Sequence, residues 1–209
     1  MKVRQTNVYE FDELDERAKE RARDWWRTNG LQYEWWEFTY EDCVEAAKCL
    51  GIEIGNRAGR NMRGEATVGS PNIFFSGFSS QGDGACFEGA YGYHKGWREA
   101  LAGYAPEDKE LLSIGEALQS TQRSAFWGIT ASTRHSGHYY HSGCMLVEVR
   151  CDREIGNDAE AAVRYALRDF ADWIYRNLRE EYEYLMSDES VDETIRANEY
   201  EFYESGERA

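Results

Sequence analysis

The chain has 209 residues, 39 acids against 24 bases for a formal net charge of -15, 42% apolar and 14% aromatic residues, and two Pro. That predicts one globular domain over residues 1–209 with a real core, and excludes a disordered chain or a Pro-rich stalk. The acidity argues against a surface made for DNA, RNA or anionic lipid.

The opening MKVRQTNVYEFDELDE lacks the apolar block of a signal peptide, and no apolar run approaches the roughly 20 residues that span a bilayer. Five Cys, at 43, 49, 86, 144 and 151, are odd in number and form no CxxC pair. A reduced protein of the cytoplasm, without membrane contact, is the expectation.

In chain order, NVYEF reads as a short strand able to extend a sheet edge. A helix follows in DELDERAKERARDWWRTNG, with Asp12 as cap, Arg27 at the negative end of its dipole and Asn29-Gly30 as stop. A second helix is expected across about 34–50, ended by Gly51. IEIGNRAGRNMRGEATVGSPN reads as an irregular strand-loop stretch. NIFFSGFSS and ACFEGAYGY read as strands of a hairpin turned at Gln81-Gly82-Asp83-Gly84, whose glycines supply left-handed backbone. Helical patterning returns near 94–103, and again in PEDKELLSIGEALQSTQ with Pro106 in the first turn. FWGITASTRH and HYYHSGCMLVEVRC make a second hairpin, turned by Ser136-Gly137. From Asp158 to Leu178 apolar residues recur at spacings of three and four, which predicts a long C-terminal helix. No fixed-period repeat or low-complexity tract is present.

These elements predict an α+β fold: an antiparallel sheet built from two central hairpins, with N-terminal and long C-terminal helices packed on it. The expected core includes Trp25, Phe38, Phe74, Phe87, Ile129, Leu146, Val147, Leu167, Phe170 and Trp173.

Catalytic patterns are weak. His135, His138 and His141 stand three apart in RHSGHYYHSGC. A two-residue turn at Ser136-Gly137 would set His135 against His138 and point His141 to the other face, so a metal would need a third ligand from elsewhere. No metal site or cofactor is assigned. Ser76 in FSGF is outside the G-x-S-x-G elbow. Cys86, between Ala85 and Phe87, reads as a buried, inert thiol. Arg57, Arg60 and Arg63 lie in GNRAGRNMRG, which lacks the phosphate-loop pattern.

Surface features are stronger. Residues 51–179 carry a net -2, whereas residues 180–209 carry 11 acids and 2 bases, a net -9, interleaved with Tyr182, Tyr184, Tyr200, Phe202 and Tyr203. A merely solubilising tail has no use for five rings, so part of this segment is expected to be docked. In each doublet, Trp25-Trp26 and Trp35-Trp36, neighbouring rings point about 100° apart, and a narrow buried stripe takes only one. The expected partner-binding residues are Trp26 and Trp36, the hairpin tip Ser79, Gln81 and Asp83, and the acids Glu180, Glu181, Glu183, Asp188, Glu189, Asp192 and Glu193.

VYEFDELDERAKERARDWW and FFSGFSSQGDGACFEGAYGY together resemble a group of small proteins encoded by tailed phages and prophages. Those proteins share a Y-x-F-D-E-L opening and an FSGF-x-SQGDGA-x-F hairpin, and the resemblance covers most of residues 8–150. It implies a phage accessory protein acting in the host bacterial cytoplasm. Some members carry antitoxin-like names. With the charge, this points to a non-enzymatic inhibitor of a host defence factor, of anti-CRISPR or anti-restriction type, meeting a host protein with a basic, nucleic-acid-binding surface and including the option of nucleic-acid mimicry. No direct nucleic-acid contact is expected, and the aromatic excess is compatible with a homodimer. The alternatives are an antitoxin neutralising a basic toxin, and a small metal-dependent enzyme using His135 and His138.

Overall fold

A computed structural model describes residues 6–60 and 66–209. Arg63 and the side chain of Arg60 lie outside the described residues. The fold is α+β, with six α-helices and antiparallel strand pairs among the described residues. Contacts group the chain into two compact units, residues 38–179, and residues 1–37 together with 180–209.

Within 38–179, helix α2 (Glu37–Cys49) leads into β2 (Ile52–Ile54), β3 (Asn56–Arg60), β4 (Ala66–Pro71), β5 (Ile73–Phe75), β6 (Ala85–Phe87) and β7 (Gly89–Gly92). Helices α3 (Trp97–Tyr104) and α4 (Lys109–Ser124), strands β8 (Ile129–His135) and β9 (Met145–Cys151), and helix α5 (Asn157–Leu185) complete this unit, although the last turns of α5 belong to the other. A four-stranded sheet runs β2-β7-β8-β9, while β3-β4 and β5-β6 form separate two-stranded sheets. Only the second expected hairpin therefore enters the main sheet whole. The first is divided: ACF pairs with β5, and GAYG pairs with β2 and β8.

The division happens at single residues. Gly55, Asn72 and Glu88 each separate two strands, and their backbones close a ring. Gly55 N–H donates to Glu88 C=O (2.9 Å), Glu88 N–H to Asn72 C=O (2.9 Å), and Asn72 N–H to Gly55 C=O (2.7 Å). Three strand pairs diverge from this junction with no backbone group left over. Gly89, the next residue, lies so close to β2 that a Cβ there would stand 2.1 Å from the Glu53 carbonyl oxygen.

Apolar periodicity places the core where helices and strands face one another. Phe87, Ile129, Val147, Leu167, Phe170 and Trp173 are buried as expected, and Phe87 meets Phe170 edge-to-face at 5.6 Å. Phe38 is 81% exposed and Leu146 is 56% exposed, contrary to expectation. Phe38 falls on the outer face of the first turn of α2, while Leu146 alternates with the buried Met145 and Val147 on β9. Phe74 is only half-buried, between the Arg57 guanidinium (4.6 Å) and the stacked ring of Tyr140 (5.8 Å). Helix α4 starts at Lys109, capped by the Asp108 carboxylate, so Pro106 precedes the helix. After α4, Phe126 and Trp127 take left-handed backbone at φ 53° and 65°, a costly conformation for bulky residues. Gln122, fully buried, holds this turn by donating to Ile129 C=O (2.6 Å) and accepting from Ile129 N–H (3.1 Å).

The other unit is closed by the two ends of the chain. Strand β1 (Tyr9–Glu10) pairs with β10 (Glu201–Phe202) rather than with the main sheet. Helix α1 (Glu16–Asn29) is capped by Asp15, whose carboxylate accepts Ala18 N–H at 2.8 Å; Asp12 instead lies in a 3-10 turn ahead of it. With α6 (Asp188–Ala197), these elements bury Phe11, Leu14, Ala18, Ala22, Trp26, Val191, Ile195 and Phe202 as one cluster. Large side chains of this kind contribute about 1.5–3 kcal/mol each when buried, against about 0–1 for an exposed ion pair. The apolar cluster thus holds the unit, and the ion pairs orient it.

Gly89→Ala is expected to lower the urea midpoint of unfolding by the equivalent of about 3 kcal/mol or more, because backbone must move to admit the methyl group. Gln122→Ala is expected to cost about 2–4 kcal/mol, since it strands the backbone groups of Ile129 in the core.

Candidate protein-binding site

The unit made by the chain ends holds 20 acids and 9 bases, a net charge of -11. Some acids are consumed internally. Arg23 donates through Nε and Nη2 to the two carboxylate oxygens of Asp192 (2.7 and 2.8 Å), with both side chains largely covered. Arg27 pairs with Asp188, and Arg196 with Asp12 (2.9 Å). The hydrogen bond from Arg196 holds the Asp12 carboxyl below its ordinary value. Arg23, Arg196 and Lys19 also lie 5.3–5.9 Å from the centre of the Phe11 ring, where cation–π attraction adds to the pairing.

Other acids face water. Glu180, Glu189, Glu193, Glu199, Glu201, Glu204 and Glu207 are exposed and make no ion pair among the described residues, and Tyr184 and Tyr203 are exposed in the same unit. A cleft of about 470 Å³ opens between the 3-10 turn, the end of α6 and β10. It is lined by Glu10, Asp12, Glu199, Glu201 and Tyr200, by the buried Phe11, and by one cation, Arg196, which is paired with Asp12. Glu199 occupies left-handed backbone (φ 52°) just past the helix end, where Gly is the usual residue.

The expected binding residues are thus sorted. Asp188 and Asp192 are ion-paired to α1, Glu181 is half-buried, and Glu180, Glu183, Glu189 and Glu193 are exposed. Trp26 is a correction: at 3% exposure it is a core residue. Its neighbour Trp25, expected inside, is the half-buried ring, packed edge-to-face on Tyr200 (5.2 Å) and Phe202 (5.8 Å). Trp36 is half-buried against Trp35, whose ring also meets Tyr182 at 5.7 Å. The cleft residues Glu10, Asp12, Glu199 and Glu201 were not among the expected ones; their meeting depends on β1 pairing with β10, which no local pattern announces.

Ser79, Gln81 and Asp83 belong to the other unit, in the loop 76–84 between β5 and β6. This loop is held on every side. The Asp83 carboxylate accepts N–H groups of Ser80 (2.6 Å) and Ser79 (2.9 Å), which lower its pKa. Tyr175 donates to Gly77 C=O (3.0 Å) and stacks on Phe78 (5.4 Å). Gly82 (φ 95°) lies against Tyr139, whose ring a Cβ would meet at 3.0 Å. Ser79 and Gln81 remain exposed at the tip.

The facing loop, 136–144, replaces the expected two-residue turn, so His135 pairs with Met145 and does not face His138. His135 donates from Nε2 to Tyr139 C=O (3.1 Å), His138 is exposed beside Tyr139, and His141 Nε2 lies 3.4 Å from Cys144 Sγ. Among the described residues, no group of three or more His, Cys, Asp or Glu is arranged to hold a metal ion. Cys86 is fully buried, and burial pushes its thiol up to about 12. No described helix is long and apolar enough to cross a membrane.

A double-mutant cycle on Arg23→Ala and Asp192→Ala is expected to give a coupling of about 1.5–3 kcal/mol, read from urea unfolding, because the pair is bidentate and shielded. For Asp83, whose folded pKa is depressed, the stabilisation is full above the ordinary carboxylate value and lost as pH falls through the folded one. Asp83→Asn should therefore lower stability at neutral pH and flatten its acid limb in urea midpoints measured from neutral pH downward.

A family model described as a domain of unknown function, DUF8835, matches residues 35–188. The match takes in both facing loops and leaves out α1 and nearly all of α6. Comparisons with curated proteins and with solved structures each return no match. With most of its length covered by that model, the chain belongs to the DUF8835 family.

Proposed function

We propose that this protein is a non-enzymatic binding protein that captures a basic, nucleic-acid-binding protein of host defence in the bacterial cytoplasm, through the acidic face of the unit formed by its chain ends. One observation carries the reading. The acidic segment is folded against α1, so its charge is displayed at set positions around a cleft rather than along a free tail. A preset field of this kind steers a basic partner into place and weakens with salt. The cleft wall combines the exposed Glu199 and Glu201, unpaired among the described residues, with the half-buried Tyr200 ring, a lining suited to an Arg or Lys side chain: carboxylates accept its hydrogen bonds and the ring covers its stem. An antitoxin acting on a basic toxin would use the same face and differ only in the partner.

Glu199 supports a functional role for the cleft. A left-handed Glu costs about 1–2 kcal/mol relative to Gly, and such strain concentrates at binding positions. Affinity capture from host cells at low salt is expected to return one basic protein in stoichiometric amount, released as salt rises. Glu199→Gly should raise the stability of the free protein by about 0.5–1 kcal/mol while weakening that capture. Glu199→Lys with Glu201→Lys should abolish it. Capture of nothing stoichiometric, or capture indifferent to these changes, would refute the reading.

A further inference from the structure

The main sheet ends on β9, and the hydrogen bonds of β8 show which way each β9 residue points. Ser136 N–H donates to Cys144 C=O (2.9 Å), so in this register the even-numbered residues of β9 bond to β8 and the odd-numbered ones face outward. Two other bonds agree. His135 N–H, on the opposite side of β8, donates to the Glu88 carboxylate (3.1 Å), and the outward Met145 C=O accepts from Arg168 (3.2 Å). Beyond Met145, the backbone N–H and C=O groups of Val147, Val149 and Cys151 have no hydrogen-bond partner among the described residues. The edge has no Pro, Lys or bulge: its only charged residues are Glu148 and Arg150, of opposite sign, and its seven-residue register with β8 is regular. An open pocket of about 660 Å³ lies at its C-terminal end, bounded by Gly128 and Thr130 on the β8 side as well as by Val149, Arg150 and Cys151.

We propose that a second copy of this chain fills this edge by antiparallel β9–β9 pairing, with Val149 on the two-fold axis. Symmetry and charge select the occupant and the register, on a face where Glu148 also pairs with Arg134 (3.0 Å) and Arg150 (3.5 Å) of its own chain. The outer face of β9 presents Leu146, Glu148 and Arg150. A pair centred on Glu148 would set Glu148 against itself. Centred on Val149, each Glu148 stands opposite Arg150 of the other copy, so the contact is made twice and is self-complementary. The same centre puts an outward-facing residue on the axis. Val149 then exchanges both backbone hydrogen bonds with its equivalent, and Val147 does so with Cys151.

Sedimentation of the full chain across a wide concentration range tests this, independently of the acidic-face reading. The wild type is expected to pass from monomer to dimer, with Val149 amide exchange slowing as the dimer forms. Glu148→Arg should weaken dimerisation about tenfold or more, and Glu148→Arg with Arg150→Glu should restore it. Val149→Pro removes an N–H that β8 does not use, and should leave a folded monomer by circular dichroism. A wild type that stays monomeric leaves the edge to another strand or to none, and overturns the proposal. A dimer indifferent to the charge reversal, or not recovered by the swap, overturns it equally.

Discussion

In the unit spanning residues 38–179, the strand arrangement rests on the closed ring of backbone hydrogen bonds among Gly55, Asn72 and Glu88. A strand cannot change partners without leaving N–H and C=O groups unpaired for a residue or two, and a buried unpaired group is expensive. Here three strands change partners at one point, and each transition residue satisfies the next. The Glu88 side chain then reaches the His135 N–H, tying the end of β8 to the same junction. That tie brings the loop after β8 over the loop between β5 and β6, where Tyr139 and His141 cover Gly82 and Gly84. The FSGF-containing loop is thus a consequence of the junction, and its rings are used to hold it.

The unit formed by the chain ends follows a different logic. It is small, so its stability depends on one apolar cluster, and the Arg23–Asp192 and Arg27–Asp188 pairs set how α1 and α6 meet. These pairs divide a uniformly acidic segment into two populations. Asp188 and Asp192 serve the fold, while Glu180, Glu189, Glu193, Glu199, Glu201, Glu204 and Glu207 stay exposed and make no ion pair among the described residues. Glu199 holds left-handed backbone at the cleft, as Phe126 and Trp127 do after α4 in the other unit.

Much of this was legible in the sequence because helices announce themselves locally. The stripe from Val163 to Leu178 and the stop at Asn29-Gly30 predict their helices from spacing and capping alone. The Trp25-Trp26 doublet was legible only halfway: helix geometry says that one ring is favoured inside, but which one depends on where α6 and β10 arrive. They cover the Trp26 side, and Trp25 receives Tyr200 and Phe202 at its edge. The His triplet misled for a related reason. Ser136-Gly137 resembles a tight turn, yet the strands close only at Met145, and the longer loop separates His135 from His138.

The sequence by itself determined the α+β class, the main helices, most of the central core and the concentration of acid at the C-terminal end, since all of these follow from periodicity and composition within short windows. Only the tertiary structure decided that the acidic end docks beside the N-terminal helix, which acids are neutralised there, and how the first hairpin divides between two sheets. Those outcomes depend on contacts between residues far apart in the chain, such as Arg23 with Asp192 and Gly55 with Glu88. Most of the charge of -15 therefore belongs to one unit, which carries -11, and among its described residues ion-paired acids such as Asp188 and Asp192 can be told from exposed ones such as Glu199.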